Sequence, residues 1–200
     1  MRTIIVIGND KIAGRVSEQV SGHDNCFIYI DKSTNISRAL KLITKRVISP
    51  VLLAKMLICE VLRSGCKANK SFPSIRHNDD LMQAIETHQP ERLLLFRAGL
   101  IVNKKVINSG VPVLNIHAAI VPDYGGIGSI ARAIKDQAYE QYASLHVVTT
   151  QIDKGEVIDR IAYRLDPGLT YCQNEEVAYR AAQQLLLKTI RIPSNSSPLK

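Results

Sequence analysis

The stretch TIIVIGNDKIAGRVSEQVSGHDNCFIYI, residues 3–30, contains the pattern that decides the fold. Thr3–Ile7 is a continuous apolar run that ends at Gly8, which is typical of a strand buried on both faces of a parallel sheet. Apolar residues then recur every four positions from Ile12 to Val20, which places them on one face of a helix. Phe27–Ile30 has the composition of a second buried strand. A strand, a helix and a strand in this order predict an α/β domain.

Helical and strand patterns continue to alternate after this opening. We predict helices over residues 47–63, 78–88, 103–109 and 125–137, and a final helix from Asn174 to about Arg191. Strands are predicted over residues 93–96, 113–116, 144–150 and 157–164. The order indicates the α/β class: one Rossmann-like domain over residues 1–192, with an open, mostly parallel sheet and helices on both faces. Residues 193–200 are too polar to pack and are predicted to form a disordered tail.

Composition restricts the partners of the chain. Its 200 residues include 46% hydrophobic and 22% charged residues, as in an ordinary globular domain. The net charge of +8 fits either a basic surface without a dedicated partner or a small anionic substrate. Lys and Arg never occur more than two in a row, Trp is absent and aromatic residues make up only 5%, which argues against a nucleic-acid partner.

Cysteine spacing and hydropathy predict the compartment. Cys26, Cys59, Cys66 and Cys172 match neither a zinc-binding nor a redox spacing, so we expect reduced thiols in a cytoplasmic protein, with no bound metal. The N-terminal segment lacks the apolar stretch of a signal peptide. The apolar segment 47–62 is shorter than a membrane span and is interrupted by charged residues, so no membrane partner is expected.

Polar side chains follow the predicted strand over residues 113–116. In an open α/β sheet, ligands bind beyond the carboxyl ends of the strands. Asn115 and His117 are two positions apart on an extended segment, so their side chains share one face. An amide that donates to a developing oxyanion, beside an imidazole, suits acyl transfer. Asp153, in the later loop Asp153–Gly155, supplies a carboxylate that can orient and charge the imidazole, although it also fits an ordinary turn residue.

Two further features remain open at this stage. Gly8, Asn9, Asp10 and Lys11 either cradle a substrate phosphate at a helix N-terminus or form a tight turn after the first strand. The segment does not complete the dinucleotide-binding glycine pattern. His146 lies within a predicted strand, where a structural role is favoured over a place beside the site.

These residues resemble the formyltransferase family, which includes enzymes acting on glycinamide ribonucleotide, on methionyl-tRNA and on amino sugars. The resemblance covers residues 74–190 and, more loosely, 1–40. The residues that match the family pattern are Asn115, His117, Pro122, Tyr124 and Gly126, then the strand Ser144–Val148, then Asp153 and Gly155. It implies that Asn115, His117 and Asp153 are catalytic. It also implies 10-formyltetrahydrofolate as formyl donor, bound by Gly99, Leu100, Ile101 and Val102 and by Thr150, Gln151 and Ile152.

The resemblance leaves the acceptor open. Gly125 stands where the family usually has a basic residue, and Gly8–Lys11 lacks the fuller glycine-rich phosphate signature. We therefore expect formyl transfer to a primary amine of a small, anionic or nucleotide-linked sugar substrate. The alternatives are hydrolysis of 10-formyltetrahydrofolate and a non-catalytic folate- or nucleotide-binding protein. Residues 45–63 resemble an insertion after the second strand that shapes the acceptor site or a subunit contact, and a homodimer stays an option.

Overall fold

The computed structural model describes residues 1–33, 43–44, 48–68 and 71–191. Its strands are β1 (Thr3–Ile7), β2 (Cys26–Asp31), β3 (Ser74–Ile75), β4 (Arg92–Phe96), β5 (Val113–His117), β6 (Glu140–Val147) and β7 (Val157–Arg164). Its helices are α1 (Lys11–Val20), α2 (Pro50–Leu62), α3 (Asn78–His88), α4 (Lys104–Ile107), α5 (Ser129–Lys135) and α6 (Tyr171–Arg191). The predicted tail lies outside the described residues.

The strands form one sheet in the order β3-β2-β1-β4-β5-β6-β7. The first five strands of this order are parallel, whereas β6 runs antiparallel to both β5 and β7. The side chains of β1 alternate between two cores: Ile5 and Ile7 pack with α1, α5 and α6, and Ile4 and Val6 pack with α3 and α4. Burial on both faces explains why β1 is apolar throughout and not alternating. The predicted fold class is therefore confirmed.

Several boundaries differ from the prediction. The helix expected over 125–137 spans only Ser129–Lys135, because Gly126 and Gly128 have φ angles of 77° and 76° and are not helical. The strand expected over 144–150 is Glu140–Val147, since its polar first half pairs with β7. The last helix begins at Tyr171, three residues before Asn174. The two-residue strand Ser74–Ile75 at the sheet edge has no counterpart in the prediction.

The cysteines require a correction. Cys59 of α2 and Cys172 of α6 form a disulfide with Cα atoms 5.3 Å apart, whereas Cys26 and Cys66 are free. The expectation of four reduced thiols is thus wrong for this pair. The packing of α2 against α6 brings together two cysteines that are 113 positions apart in the sequence. Disulfides are typical of oxidising compartments, so the cysteines do not support the predicted cytoplasmic location. Within the described ranges, no helix combines the length and hydropathy needed to cross a bilayer.

Candidate active site

A cavity of about 680 Å³ opens beyond the carboxyl ends of β1, β2, β4 and β5, and its volume is in the range of small-molecule sites. The segments that form its walls lie far apart in the sequence. Residues lining it include Gly8, Asn9 and Asp10; Gly99, Leu100, Ile101 and Val102; Asn115 and His117; Gly126 to Ser129; and Thr150, Gln151, Ile152 and Asp153. The structure thus brings together every predicted site residue except Lys11.

Asp153 is the centre of the polar edge of this cavity. Its backbone φ is 50°, a left-handed conformation that Asp and Asn tolerate better than most residues. One carboxylate oxygen, Oδ2, accepts the N–H of Gly126 at 2.6 Å, and the other, Oδ1, accepts from the Asn115 amide at 3.2 Å. Oδ2 also lies 3.7 Å from Nδ1 of His117. The three predicted catalytic side chains are therefore in one cluster.

His146 belongs to this cluster too. It is 1% exposed, and it pairs with Asn115 across β5 and β6. Its Nδ1 lies 3.1 Å from the carbonyl oxygen of Val147, and its Nε2 lies 3.1 Å from Asn115 Nδ2 and 3.3 Å from Asp153 Oδ1. Nε2 thus faces two groups: without a proton it accepts from Asn115, and with a proton it donates to Asp153. The structure thus places His146 beside the site, in addition to the structural role that its sequence context favoured.

Asn115 lies between these two groups. Its Nδ2 is 3.1 Å from His146 Nε2 and 3.2 Å from Asp153 Oδ1. Asp153 accepts from the amide, whereas the role of His146 depends on which ring nitrogen carries a proton. The donation of Asn115 to a ligand is therefore linked to the protonation state of the His146–Asp153 pair.

Burial and charge set the protonation states. Burial lowers the pKa of His117 below its ordinary value, and the charge of the Asp153 carboxylate partly opposes this shift. Burial raises the pKa of Asp153, but hydrogen bonding with His146, the charge of His117 and the Gly126 N–H together hold that pKa well below its usual range. Nε2 of His117 donates to the Tyr124 carbonyl oxygen at 2.8 Å, so in the neutral ring the Nδ1 lone pair faces Asp153. At neutral pH an ionised carboxylate thus lies beside a neutral imidazole.

The opposite wall of the cavity is positioned by a residue that the sequence did not single out. Asp31, at the end of β2, is 3% exposed. Its Oδ2 accepts the N–H groups of Gly99 and Leu100 at 2.5 and 2.8 Å, and its Oδ1 accepts that of Ser33 at 2.7 Å. Asp31 is therefore a positioning residue for the segment 99–102. Its place just after the predicted strand Phe27–Ile30 is the signal that could have identified it.

The first loop differs from the predicted phosphate cradle. Lys11 does not line the cavity, because its ammonium donates to the carbonyl oxygens of Val61 and Arg63 at 3.0 and 2.6 Å. Asp10 caps α1 by accepting the N–H of Ala13, and it also accepts from Nε of Arg97 at 2.6 Å. Among the residues that the structure describes, no group of three His, Cys, Asp or Glu is placed to hold a metal ion.

Known proteins share sequence features and the fold with this chain. The model of the family described as "Formyl transferase" matches residues 40–190. A methionyl-tRNA formyltransferase of Nitrosomonas eutropha is 26% identical over 170 residues, which cover 82% of this chain and 49% of that protein. The chain spans less than half the length of the first curated relatives that it matches.

Two solved structures share the fold. A phosphoribosylglycinamide formyltransferase from Anaplasma phagocytophilum superposes with a TM-score of 0.65 and 15% identity, covering 95% of this chain and 84% of that one. A formyltetrahydrofolate deformylase from Pseudomonas syringae superposes with a TM-score of 0.64 and 15% identity, covering 95% of this chain and 60% of that one. At this identity the likeness concerns the fold alone, since one fold serves several reactions.

Proposed function

Because the chain belongs to the formyl transferase family, we propose that it transfers a formyl group from 10-formyltetrahydrofolate to a primary amine of a small molecule. The observation that carries this proposal is the convergence of Asn115, His117 and Asp153 on one edge of the cavity. An amide donor, an imidazole and an ionised carboxylate in one cluster are groups that can support acyl transfer to an amine.

Each residue of the cluster has a distinct role in this reaction. The amine attacks the formyl carbon, a new carbon–nitrogen bond forms and the bond to the donor nitrogen breaks. The proton that the amine loses moves toward the Asp153–His117 pair, whose Oδ2 and Nδ1 are 3.7 Å apart. The protonated His117 then donates from Nδ1 to the leaving nitrogen. As Asp153 accepts from the amine, Asn115 becomes free to donate to the oxygen that gains negative charge.

The donor half of the cavity fits a flat, partly apolar ring with polar edges. Segments 99–102 and 150–152 line it, and the apolar side chains of Leu95 and Val148 lie in the same wall. The Asp31 carboxylate holds the first segment in place through its N–H groups. 10-Formyltetrahydrofolate supplies an activated formyl group when bound here, and we propose that segments 99–102 and 150–152 hold it.

The test is a transfer assay with the full chain and 10-formyltetrahydrofolate, in which formylated amine is measured across a panel of amino sugars, amino acids and polyamines. Amine-dependent release of tetrahydrofolate with one formylated product per turnover supports the proposal. Formate release at the same rate with and without amine identifies a hydrolase instead. Folate binding with no turnover of any amine identifies a binding protein.

A further inference from the structure

We infer that Glu60 determines acceptor specificity: it fills the anion position at the N-terminus of α1, so the acceptor amine belongs to a molecule that places no phosphate at the first loop. The term "acceptor" rests on the proposed function. The exclusion of phosphate rests on the hydrogen bonds and charges around Gly8–Lys11 and holds independently of it.

Two N–H groups of the first helical turn, those of Lys11 and Ala13, are already occupied. Such groups, together with the helix dipole, form the usual binding site for phosphate at the start of a helix. Here the N–H of Lys11 donates to Oε1 of Glu60 at 2.9 Å, and the N–H of Ala13 donates to Oδ1 of Asp10 at 2.9 Å. Glu60 lies on α2, 49 positions away in sequence, so the anion comes from a separate element of the chain. The protein itself provides the negative charge that α1 attracts.

The basic side chains around this turn are also engaged. Arg15 donates to both carboxylate oxygens of Glu176, and Arg97 donates to Asp10. Lys11 donates to carbonyl oxygens at the end of α2, as described above. Each of these three cations thus has an internal partner, although Nε of Arg15 and Nη1 of Arg97 are buried without a hydrogen bond. A phosphate at this turn would meet the carboxylates of Glu60 and Asp10.

Arg63 fixes Glu60 in this position. Its side chain is 4% exposed and contacts three carboxylates: Nη1 lies 3.1 Å from Glu60, Nη2 lies 2.7 Å from Glu175, and Nε donates to Glu176. Moving Glu60 aside would leave Nη1 of the buried Arg63 and the N–H of Lys11 without this acceptor, which carries a free-energy cost. Glu60 is therefore held at the N-terminus of α1.

The remaining wall of the acceptor half indicates what binds instead. Met56 of α2, Ala118 and Ile127 line the cavity on the side of the first loop, together with the amide of Asn9. Lys32 also lines the cavity, and it lies beside the first loop because it follows β2, which pairs with β1. Asp10, Arg97 and Lys32 are charged residues of this part of the lining, and its other residues are apolar or neutral. We conclude that the acceptor places no anionic group at the N-terminus of α1, where Glu60 already lies.

The experiment compares the wild-type chain with Glu60→Ala and Glu60→Gln variants, and uses the exposed Glu18 of α1 for matched Glu18→Ala and Glu18→Gln controls. The midpoint of thermal unfolding is measured in inorganic phosphate and in chloride at equal ionic strength. Initial rates are measured with an amine and with its phosphate monoester. Glu60→Gln keeps a hydrogen-bond acceptor for the Lys11 N–H, so the comparison stands even where the alanine variant does not fold.

We expect no specific effect of phosphate on the wild type, and kcat/KM at least about tenfold higher for the unphosphorylated amine, which corresponds to about 1.4 kcal/mol. Phosphate should raise the unfolding midpoint of the Glu60 variants, and the rate ratio should fall in them and not in the Glu18 controls. Specific stabilisation of the wild type by phosphate, or preference for the phosphate ester, overturns the inference. If no amine is formylated, the proposed function fails while the phosphate titration still decides this inference.

Discussion

Replacing Asp153 with asparagine removes one negative charge from the site and keeps the backbone that the position requires. Asparagine tolerates the left-handed φ of 50° found at Asp153. Its side-chain oxygen can also accept the Gly126 N–H that the carboxylate accepts now. We therefore expect Asp153→Asn to fold normally and to bind the folate donor with unchanged affinity, while the chemical step slows.

The expected size of the effect follows from the distance to His117. Oδ2 of Asp153 lies 3.7 Å from Nδ1 of His117. Two unit charges about 4 Å apart at an effective dielectric constant of about 20 attract each other by about 4 kcal/mol. This attraction favours the protonated His117 that forms during the reaction and is lost in the variant. Since 1.36 kcal/mol corresponds to a factor of ten, kcat should fall by about a thousandfold.

The assay measures kcat and KM for formyl transfer, with the dissociation constant of the donor determined separately by titration. The matched control is Asp123→Asn, which removes an exposed carboxylate from the neighbouring loop and should leave kcat within about twofold, because exposed charges are strongly screened. A kcat for Asp153→Asn within tenfold of the wild type, with donor affinity intact, would refute the assigned role of Asp153.

Three further predictions concern positioning and stability. Asp31→Ala leaves the N–H groups of Gly99 and Leu100 without their acceptor, so KM for the donor should rise by about tenfold or more while kcat changes little. The control Asp123→Ala should leave this KM unchanged, and an unchanged KM for Asp31→Ala contradicts the prediction. Burial lowers the pKa of His117, so the unfolded chain binds more protons than the folded chain between that lowered pKa and about 6.5. The free energy of unfolding should therefore fall as the pH drops through this window. The slope of that free energy against pH should be smaller for His117→Asn, and equal slopes for variant and wild type contradict the shift. Reducing the Cys59–Cys172 bond, whose cysteines are 113 positions apart, should lower the free energy of unfolding, measured with denaturant, by up to about 4–5 kcal/mol. The stability of a Cys59→Ser variant should not change with reductant. Equal stability of the oxidised and reduced wild type contradicts the presence of the disulfide.

Local patterns in the sequence determined the elements and their order. Thr3–Ile7 and Val157–Arg164 are the strands that apolar runs and alternation predict, and α3 spans the predicted residues 78–88. The same local spacing places Asn115 and His117 on one face of β5, at the sheet edge where ligands bind in α/β folds. These features follow from side-chain periodicity along the chain, which a single sequence contains in full.

Tertiary structure alone decided which distant residues complete the site. His146 reaches Asn115 through the register between β5 and β6, Asp31 reaches segment 99–102 from the end of β2, and Glu60 reaches the start of α1 from α2. The Cys59–Cys172 bond likewise depends on how α2 docks on α6. Strand register and helix docking depend on the packing of the whole core, and periodicity within one segment carries no information about its partner. The candidate residues Asn115, His117 and Asp153 were therefore visible in the sequence, whereas the groups that contact them and the carboxylate at the N-terminus of α1 were not.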